Sequence, residues 1–595
     1  DAYYTLFNEK YYRSYSTFFG GTEYDVAMGI TQHGSGIAIV GKTHSPAIEM
    51  NWSGPAGSFV DDDYAMVAQG TCFVAAFDDD GFHVWSTVFG PDYGMTPANI
   101  AAYPTATGFG LVIGGSVDTG PPDPNFPVEY SCASPTMNAL PICGASPAFV
   151  HDQLGFKSTV GVFPFWNDSW IAKFNDQYDL VWSTLFSGSS PVDVITDLAV
   201  DPTNGHTVVT GYTNSPNHPY GYCAPVAYGV RGFPWCIFPG GYWQAPSAVE
   251  DSNYFGDHMA FVADFDTDNA LTWCVPFGPM DLIDDIAGDD TEAIAIDARH
   301  GRLAIVGWTT ADAYGTLPCA SGIFQFPGCT TAIPYLGAAN PIGFNSNSFA
   351  AQFTSATKQL TWSSFVPSVH VTDVSLGPAG SVVVSGDLLS GSAPFQWHPD
   401  YYSSIGAPLE DDGYLGAFDA TGHFWGSRWG GFDDDRVSNV VVTGTTNIRR
   451  VYVGGFTRSD TYFEYFPFYC PPIIDPLEPP WCDPYLSTPA DIFYGQLKVD
   501  LGLSIEDASS APTDLHYLIY PNPTNSTLWI KCEGIGCDQI ARLSAFDTSG
   551  RRVLHVPFGK DDGVDIGALS PGAYLLRCED LSGSVLYTRT IILQP

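Results

Sequence analysis

The sequence predicts an all-β protein, chiefly because one two-stranded pattern recurs along it. Residues Phe73–Gly90, FVAAFDDDGFHVWSTVFG, hold an apolar strand, a polar turn and a second strand that carries aromatic residues. Period-2 alternation, frequent β-branched and aromatic residues, and Asp, Asn and Gly at the turn indicate an antiparallel hairpin. Related stretches follow at Ile171–Gly188, Phe261–Gly278, Phe349–Phe365 and Tyr414–Gly431.

A second recurring strand ends in small residues and completes a four-stranded unit. Its six copies lie at Gly36–Thr43, Gly108–Ser116, His206–Thr213, Arg302–Thr309, Ser381–Asp387 and Arg450–Thr457. With an entry strand such as Thr291–Asp297, each unit holds four antiparallel strands. Because such a unit cannot bury both faces alone, its repetition predicts a six-bladed β-propeller.

The N-terminus is expected to close this ring. Residues 11–21 repeat the outer half of the unit without its first strand, and Asp491–Val499 has no outer strand after it. Pairing Tyr15–Phe19 with Asp491–Val499 would remove free edges that otherwise template aggregation. The predicted domains are therefore a propeller at 1–499, a linker at 500–516 and a second domain at 517–595.

Charge restricts the expected partners. The chain has 22 Lys and Arg against 64 Asp and Glu, a net charge of −42. Nucleic acid and anionic membranes need cationic contacts, so neither is expected to bind. No apolar run is long enough for a membrane-spanning helix, and we expect no membrane insertion. The chain opens as a mature protein would after removal of a signal peptide.

Close cysteine pairs indicate disulfides. None of the pairs has the C-x-x-C spacing of a zinc site, so we expect bridges formed in an oxidising compartment. The pairs are Cys132 and Cys143, Cys223 and Cys236, Cys319 and Cys329, Cys470 and Cys482, and Cys532 and Cys537. Cys72, Cys274 and Cys578 are left over and are expected in strands as small buried hydrophobic residues.

Six long insertions separate the second and third strands of the units, at 44–71, 117–167, 214–257, 310–346, 388–412 and 458–490. Since strands alternate in direction, the insertions are expected on one face. The third and sixth are rich in aromatic residues, which either form local cores or present a rigid surface to a protein or sugar. The candidate binding residues are Tyr222, Trp235, Tyr242, Trp243, Tyr462, Phe466 and Trp481.

Acidic residues gather where the units begin, and two interpretations are open. Short polar side chains at such places often accept hydrogen bonds from turn backbone. Alternatively, a ring of carboxylates at one mouth of the channel binds calcium, with no other cofactor expected. The candidate ligands are Asp25, Asp289, Asp290, Asp434 and Asp435. Asp78–Asp80 and the Asp264, Asp266 and Asp268 series are expected to shape hairpin turns.

The unit resembles the SBBP repeat of bacterial β-propeller proteins. The matching features are YSTFFGG at Tyr15–Gly21, the following Asp25, and VxGxT strands such as Val209–Thr213. The resemblance covers roughly residues 11–500 and implies a secreted or surface protein. It brings no catalytic residues with it.

Residues 517–595 are similar to the type A C-terminal sorting domain of type IX secretion substrates, an Ig-like β-sandwich. The matching residues are Tyr520, Pro521, Asn522 and Pro523, then Phe546, Asp547, Ser549 and Gly550, and finally Leu569 to Tyr574. This resemblance implies export by the type IX machinery to the cell surface or medium of a Gram-negative Bacteroidota-type bacterium, after a signal peptide has been removed.

The sequence lacks a G-x-S-x-G elbow, an H-E-x-x-H helix and a phosphate-binding loop. We therefore expect a non-enzymatic structural or binding module, either a homo-oligomer in an extracellular filament or surface layer, or a protein that binds another surface protein or glycan. The alternative is a secreted polysaccharide hydrolase with carboxylates at the channel mouth, because such pairs leave no local motif.

Overall fold

The computed structural model divides the chain into two compact units, Asp1–Leu501 and Gly502–Pro595. The division lies inside the segment predicted as a linker. The structure describes residues 2–7, 13–46, 52–61, 70–91, 94–118, 128–133, 139–151, 167–188, 192–215, 223, 232–244, 258–278, 290–311, 326–327, 347–366, 369–388, 412–418, 424–429, 434–444, 448–458, 491–500, 516–520, 527–533, 542–546, 551–557, 563–579 and 585–593.

The predicted all-β class is confirmed, since the first unit consists of antiparallel sheets whose strands follow one another in chain order. Sheet 1 contains β3 (Asp25–His33), β4 (Gly36–Thr43), β5 (Thr71–Phe77) and β6 (His83–Phe89). Sheet 2 contains β7 (Met95–Pro104), β8 (Phe109–Asp118), β11 (Asn167–Phe174) and β12 (Leu180–Leu185), and the second insertion adds a short parallel pair, β9 (Val128–Glu129) and β10 (Leu140–Pro141).

Three further four-stranded sheets and one three-stranded sheet follow. Sheet 3 has β13 (Asp193–Val200), β14 (Thr207–Thr213), β15 (Met259–Phe265) and β16 (Leu271–Phe277). Sheet 4 has β17 (Thr291–Arg299), β18 (Arg302–Thr309), β19 (Asn347–Thr354) and β20 (Leu360–Val366). Sheet 5 has β21 (Val369–Leu376), β22 (Val382–Leu388), β23 (Asp412–Phe418) and β24 (Phe424–Trp429), and sheet 6 has β25 (Asp435–Gly444), β26 (Ile448–Thr457) and β27 (Asp491–Asp500).

A bulge at one equivalent place marks the first strand of every sheet. The register against the second strand shifts between Ala27 and Gly29 in β3 and at the matching positions of β7, β13, β17, β21 and β25. A bulge bends a strand and increases its right-handed twist. The six sheets therefore share a local distortion as well as a strand order.

The hydrophobic core lies between successive sheets. The first strands pack in series, β3 on β7, β7 on β13, β13 on β17, β17 on β21 and β21 on β25. Between sheets 1 and 2, Trp85 and Phe89 meet Trp170 and Phe174 in one buried cluster. Tyr178, in the turn after β11, stacks on Trp85 with ring centroids 4.8 Å apart and planes 15° from parallel.

A hairpin of β1 (Ala2–Phe7) and β2 (Arg13–Phe19) precedes sheet 1 in the sequence. One of its faces packs Tyr4 and Phe19 against Phe73 of sheet 1, while Phe18 on the other face is 71% exposed. The predicted pairing of Tyr15–Phe19 with Asp491–Val499 is not among the described strand pairings, in which β2 pairs with β1 and β27 pairs with β26. Strand β1 was not predicted, because Ala2–Phe7 copies no part of the repeat.

The second unit is also built from antiparallel strands. A three-stranded sheet joins β28 (His516–Tyr520), β29 (Thr527–Glu533) and β32 (Gly563–Asp565). A four-stranded sheet has the order β31 (Arg552–Pro557), β30 (Arg542–Phe546), β33 (Gly572–Glu579) and β34 (Val585–Leu593). Across the described ranges of both units, no helix has the length and apolarity needed to cross a membrane.

Candidate functional site

Three insertions contain the same local structure, which we call the clasp segments: residues 52–61, 142–151 and 235–244. Each clasp segment pairs with the outer edge of the fourth strand of its own sheet through one antiparallel bridge. The bridged residues are Ser53 with Ser86, Cys143 with Ser183, and Cys236 with Cys274. The clasp segments therefore cover sheet edges that would otherwise present unpaired backbone groups.

Each clasp segment also joins its sheet to the next one. In the first, the indole Nε1 of Trp85 donates to the carbonyl of Phe59 at 2.7 Å, and the amide of Phe59 donates to the carbonyl of Tyr178 at 2.9 Å. The second segment repeats this with Trp182, Phe149 and Asn269, and the third with Trp273, Tyr242 and Lys358. The three insertions are thus anchored to two sheets each.

The acceptor carbonyls belong to turn residues in left-handed conformations. Tyr178, Asn269 and Lys358 have φ values of 63°, 62° and 55°. Such conformations are costly for residues other than glycine and persist where the surroundings enforce them. The amide that each clasp segment donates is one such constraint.

Two of the predicted aromatic binding residues lie in the core, which corrects their assignment to a binding surface. Trp235 and Tyr242 are only 3% and 7% exposed and belong to hydrophobic clusters between sheets. Rings buried to this extent cannot touch a partner. Trp243 is half-buried against the same clusters. Tyr222, Tyr462, Phe466 and Trp481 lie outside the described residues.

Two of the predicted disulfides, Cys132–Cys143 and Cys223–Cys236, are present in the structure. Each includes a clasp-segment residue and closes a loop of the insertion onto it. The other three predicted pairs each include a cysteine outside the described part of the chain. Cys72 and Cys274 are unbridged and buried, and Cys578 lies on β33.

Asp25, a predicted calcium ligand, accepts hydrogen bonds with both carboxylate oxygens. The donors lie in sheet 1 and in the residues next to its strands. Oδ1 accepts from the Thr43 hydroxyl at 2.5 Å, and Oδ2 accepts from the Ser45 hydroxyl at 3.0 Å and the Gly21 amide at 2.9 Å. Asp193 makes the same contacts with Thr213, Ser215 and Gly188. The carboxylate at this position therefore ties the first strand to the second, and calcium binding by Asp25 stays a prediction.

Of the remaining predicted ligands, those that the structure describes lie in or beside two different sheets. Asp290 accepts from the His258 amide at 2.8 Å beside sheet 4, whereas Asp434 pairs with Arg458 at 2.7 Å beside sheet 6. Asp435 is buried at the start of β25, and Asp289 lies outside the described residues. Within the ranges that the structure describes, no group of three or more His, Cys, Asp or Glu residues could hold a metal ion.

Three buried or half-buried carboxylates lie on the first strands; we call Asp197, Asp297 and Asp373 the inner carboxylates. Asp373 is one of the acidic residues expected to gather where the units begin, whereas Asp197 and Asp297 were not predicted. Asp197 accepts from Asn99 Nδ2 of sheet 2 at 2.6 Å and from the amide of Ile296 in sheet 4 at 2.7 Å. Asp297 and Asp373 likewise accept from Leu376 and Val440 in the following sheets. These contacts connect sheets 2 to 6 in series.

The inner carboxylates influence one another electrostatically. Burial raises the pKa of Asp197 to about 7, and the negative charge of Asp297 adds to this shift. Burial raises the pKa of Asp373 to about 8, with contributions from Asp197 and Asp297. A carboxyl whose pKa is raised by burial can act as a general acid near neutral pH, although here each group also accepts backbone amides. The sequence signal that could identify the inner carboxylates is an acidic residue inside an otherwise largely apolar first strand.

A comparison with known protein families identifies the type of domain that the second unit contains. Residues 518–594 match the family described as "Secretion system C-terminal sorting domain". This segment is a secretion sorting domain. The sorting domain is the type that directs substrates to the type IX machinery, so the protein is an extracellular or cell-surface protein of a Bacteroidota bacterium. The match does not extend to the repeated sheets, for which the SBBP resemblance stays a prediction.

No curated protein matches the chain. Among solved structures, the chain is similar to hydrazine synthase of Kuenenia stuttgartiensis, at 8% identity and a TM-score of 0.29, covering 74% of this chain and 77% of that one. An apocarotenoid oxygenase of Synechocystis gives 12% identity and a TM-score of 0.24 over 74% and 90% of the two chains. Latent PorU of Porphyromonas gingivalis gives 9% identity and a TM-score of 0.13 over 75% and 32%. Similarity at these scores carries no inference about fold or function.

Proposed function

We propose that residues 1–501 form a six-bladed β-propeller that acts outside the cell as a non-enzymatic binding module. Six sheets with one strand order, one bulge position and first strands packed in series support the propeller. Ser16 of β2 corresponds in the repeat to Ser86, and Thr5 of β1 pairs with it as Ser53 pairs with Ser86. β1 thus takes the place of a clasp segment and leaves the other edge of β2 for β27, which would close the ring.

The anchoring of the insertions is the observation that carries the binding proposal. Each described clasp segment is fixed by hydrogen bonds to two sheets, and two of them also by a disulfide. Loops held in this way lose little conformational entropy when they bind, which favours recognition. The proposed contact surface is formed by the insertions, with Trp243, Tyr222, Tyr462, Phe466 and Trp481 as its aromatic residues.

The proposed partner is a second copy of the protein, in a filament or surface layer, or a protein or glycan at the cell surface. The sorting domain supports a location outside the cell, and it adds the type IX machinery as a partner during export. Sedimentation and electron microscopy of the full chain test the proposal. Assembly or binding to isolated cell surfaces is expected, and it should be lost when residues 462–466 are replaced by a Gly–Ser linker.

Asp79→Ala, an exposed change in the turn between β5 and β6, is the matched control and should keep both properties. A wild-type protein that stays monomeric at all concentrations and binds no surface component would overturn the proposal.

The inner carboxylates favour a second candidate, a polysaccharide hydrolase that uses Asp197 as acid and Asp297 as base. Burial raises the pKa of Asp197, and a carboxyl with a raised pKa that acts with a second carboxyl is the usual arrangement for glycoside cleavage. A glycan screen with the wild-type protein and with Asp197→Asn separates the two candidates. We expect no turnover from either; turnover that Asp197→Asn abolishes would establish the enzyme.

A further inference from the structure

Three cysteines meet at the third clasp segment. Cys236 is bonded to Cys223, and it also lies opposite Cys274 of β16. The amide of Cys236 donates to the carbonyl of Cys274 at 2.9 Å, and the amide of Cys274 donates to the carbonyl of Cys236 at 2.8 Å. Mutual hydrogen bonds of this kind define directly opposite residues of an antiparallel pair. The unbridged thiol of Cys274 therefore lies beside the Cys223–Cys236 disulfide.

The backbone permits a bond between Cys236 and Cys274. Directly opposite hydrogen-bonded residues have Cα atoms about 5.5 Å apart and side chains on the same face of the sheet. Disulfides form at Cα separations of about 4.4–6.8 Å. Both side chains are fully buried in one hydrophobic cluster. An exchange of Cys223 for Cys274 as the partner of Cys236 thus requires little movement of the strands.

The other two clasp segments show that the fold does not require this arrangement. At the equivalent bridge, the first has Ser53 opposite Ser86 and the second has Cys143 opposite Ser183. Cys143 belongs to the Cys132–Cys143 disulfide, but the residue directly opposite it is a serine and offers no thiol to attack that bond. The third segment alone among these described bridges has cysteine on both sides.

We propose that Cys223, Cys236 and Cys274 form an intramolecular thiol–disulfide exchange site that releases Cys223 as a reactive surface thiol. Cys274 Sγ gives up its proton and attacks Cys236 Sγ. The Cys236–Cys274 bond forms, the Cys223–Cys236 bond breaks, and Cys223 leaves as a thiolate that takes up a proton. One disulfide replaces another, so no external oxidant or reductant is consumed.

Exposure decides which cysteine becomes available. Cys223 is exposed on the third insertion, whereas Cys236 and Cys274 are buried. The released thiol can then exchange with a disulfide of a small molecule or of another protein outside the cell, while Cys236 stays oxidised. Because burial raises the pKa of the Cys274 thiol, and the thiolate is the attacking species, the exchange should accelerate in alkaline solution.

Disulfide mapping of the full chain tests this site. A Cys223→Ser variant incubated in a glutathione redox buffer at pH 9 should yield a Cys236–Cys274 peptide under non-reducing digestion. Recovery of Cys236 and Cys274 as two free thiols from folded protein would overturn the proposal.

Labelling of the wild-type protein provides a second test that does not depend on the folding of that variant. In a buffer at pH 9 without glutathione, iodoacetamide should label Cys223 in the native protein, and the labelled molecules should contain the Cys236–Cys274 peptide. Cys274→Ser should reduce the labelling of Cys223 at least tenfold. Equal labelling of the wild-type protein and the Cys274→Ser variant would contradict the exchange.

The second clasp segment supplies a matched control. In a Cys132→Ser variant, Cys143 faces Ser183 and should remain a free thiol. Adding Ser183→Cys to that variant should create a bridge to Cys143. A double variant that leaves Cys143 free would show that the opposed position does not support a disulfide, and would overturn the geometric basis of the proposal.

Discussion

Lys358 Nζ lies 2.6 Å from Asp264 Oδ2, and this ion pair joins the turn of sheet 4 to the third strand of sheet 3. The two side chains are only 3% and 0% exposed. His206 Nδ1 contacts the other carboxylate oxygen at 2.7 Å. Although burial alone would raise the pKa of Asp264, the His206 hydrogen bond and the Lys358 charge hold it below its usual value.

Removing Lys358 should therefore be strongly destabilising. A Lys358→Met variant leaves the buried Asp264 carboxylate without its cation, and breaking such a pair costs about 3–5 kcal/mol. The unfolding free energy from urea denaturation, followed by tryptophan fluorescence, measures the loss. Arg458→Ala is the control, because its pair with Asp434 is half-exposed and should contribute less than about 1 kcal/mol. Equal losses from both variants would contradict the assignment.

The stability of the first unit should depend on the protonation of Lys173. This side chain is 3% exposed, donates to Asn269 Oδ1 at 2.9 Å and lies 4.3 Å from the ring centroid of Tyr103. Burial lowers the pKa of Lys173 to about 8, against 10.5 for the unperturbed group. Between these values the unfolded chain binds more protons than the folded one, so stability attributable to Lys173 increases with pH.

Lys173→Met removes that dependence. The unfolding free energy of the variant minus that of the wild type should fall by about 1.4 kcal/mol per pH unit above pH 8. Urea denaturation of both proteins at pH 8, 9 and 10 gives the difference directly. A difference that stays constant over this range would show that Lys173 does not titrate there.

The tryptophan donors should hold the clasp segments in place. Trp85→Phe leaves the buried carbonyl of Phe59 without its donor, a change that typically costs about 1–3 kcal/mol. Trp182→Phe should act in the same way at the second segment. Limited proteolysis of residues 44–71 and 139–151 should become faster in the respective variants.

Trp235→Phe is the control for these two variants. Its indole nitrogen is buried without a hydrogen-bond partner among the described residues, so the change leaves no acceptor unsatisfied. It should lower the unfolding free energy less than Trp85→Phe does. The opposite order would indicate that ring volume, and not the hydrogen bond, determines the cost.

Asp25 should contribute to stability without calcium. Asp25→Ala removes the acceptor of two hydroxyls and one amide, and we expect a loss of about 2 kcal/mol. Asp79→Ala, in an exposed turn, should change stability by less than about 0.5 kcal/mol. Thermal melting in millimolar calcium and in EDTA should give the same midpoint for the wild-type protein. A calcium-dependent rise that Asp25→Ala abolishes would restore the metal interpretation.

Local patterns predicted the strands because each strand is specified by its own residues. The alternation in Phe73–Phe77 and its copies gave the third strands, and the Asx turns at Asp78 and Asp266 formed as expected, with Oδ1 of each accepting amides two and four residues later. Cys72 and Cys274 are buried on strands, as predicted.

Contacts between sheets could not be predicted in this way. Lys173 and Asp264 occupy the position that is Ala76 in sheet 1, and nothing local shows that their partners lie in the turn of the next sheet. The aromatic density around Trp235 and Tyr242 likewise does not reveal that neighbouring sheets enclose these rings. The calcium prediction rests on residue type alone, whereas the environment of Asp25 is completed by Thr43 and Ser45 of the second strand and the residues after it.

The hydrogen bond from the Phe59 amide to the Tyr178 carbonyl also determines the order in which the protein can assemble. A clasp segment cannot be completed by its own sheet, because the acceptor belongs to a turn that comes later in the chain. Each of the three clasp segments should therefore reach its final structure only after the following sheet has folded. The first unit should mature progressively towards its C-terminus, and a chain stalled between two sheets should leave its last insertion open to proteases.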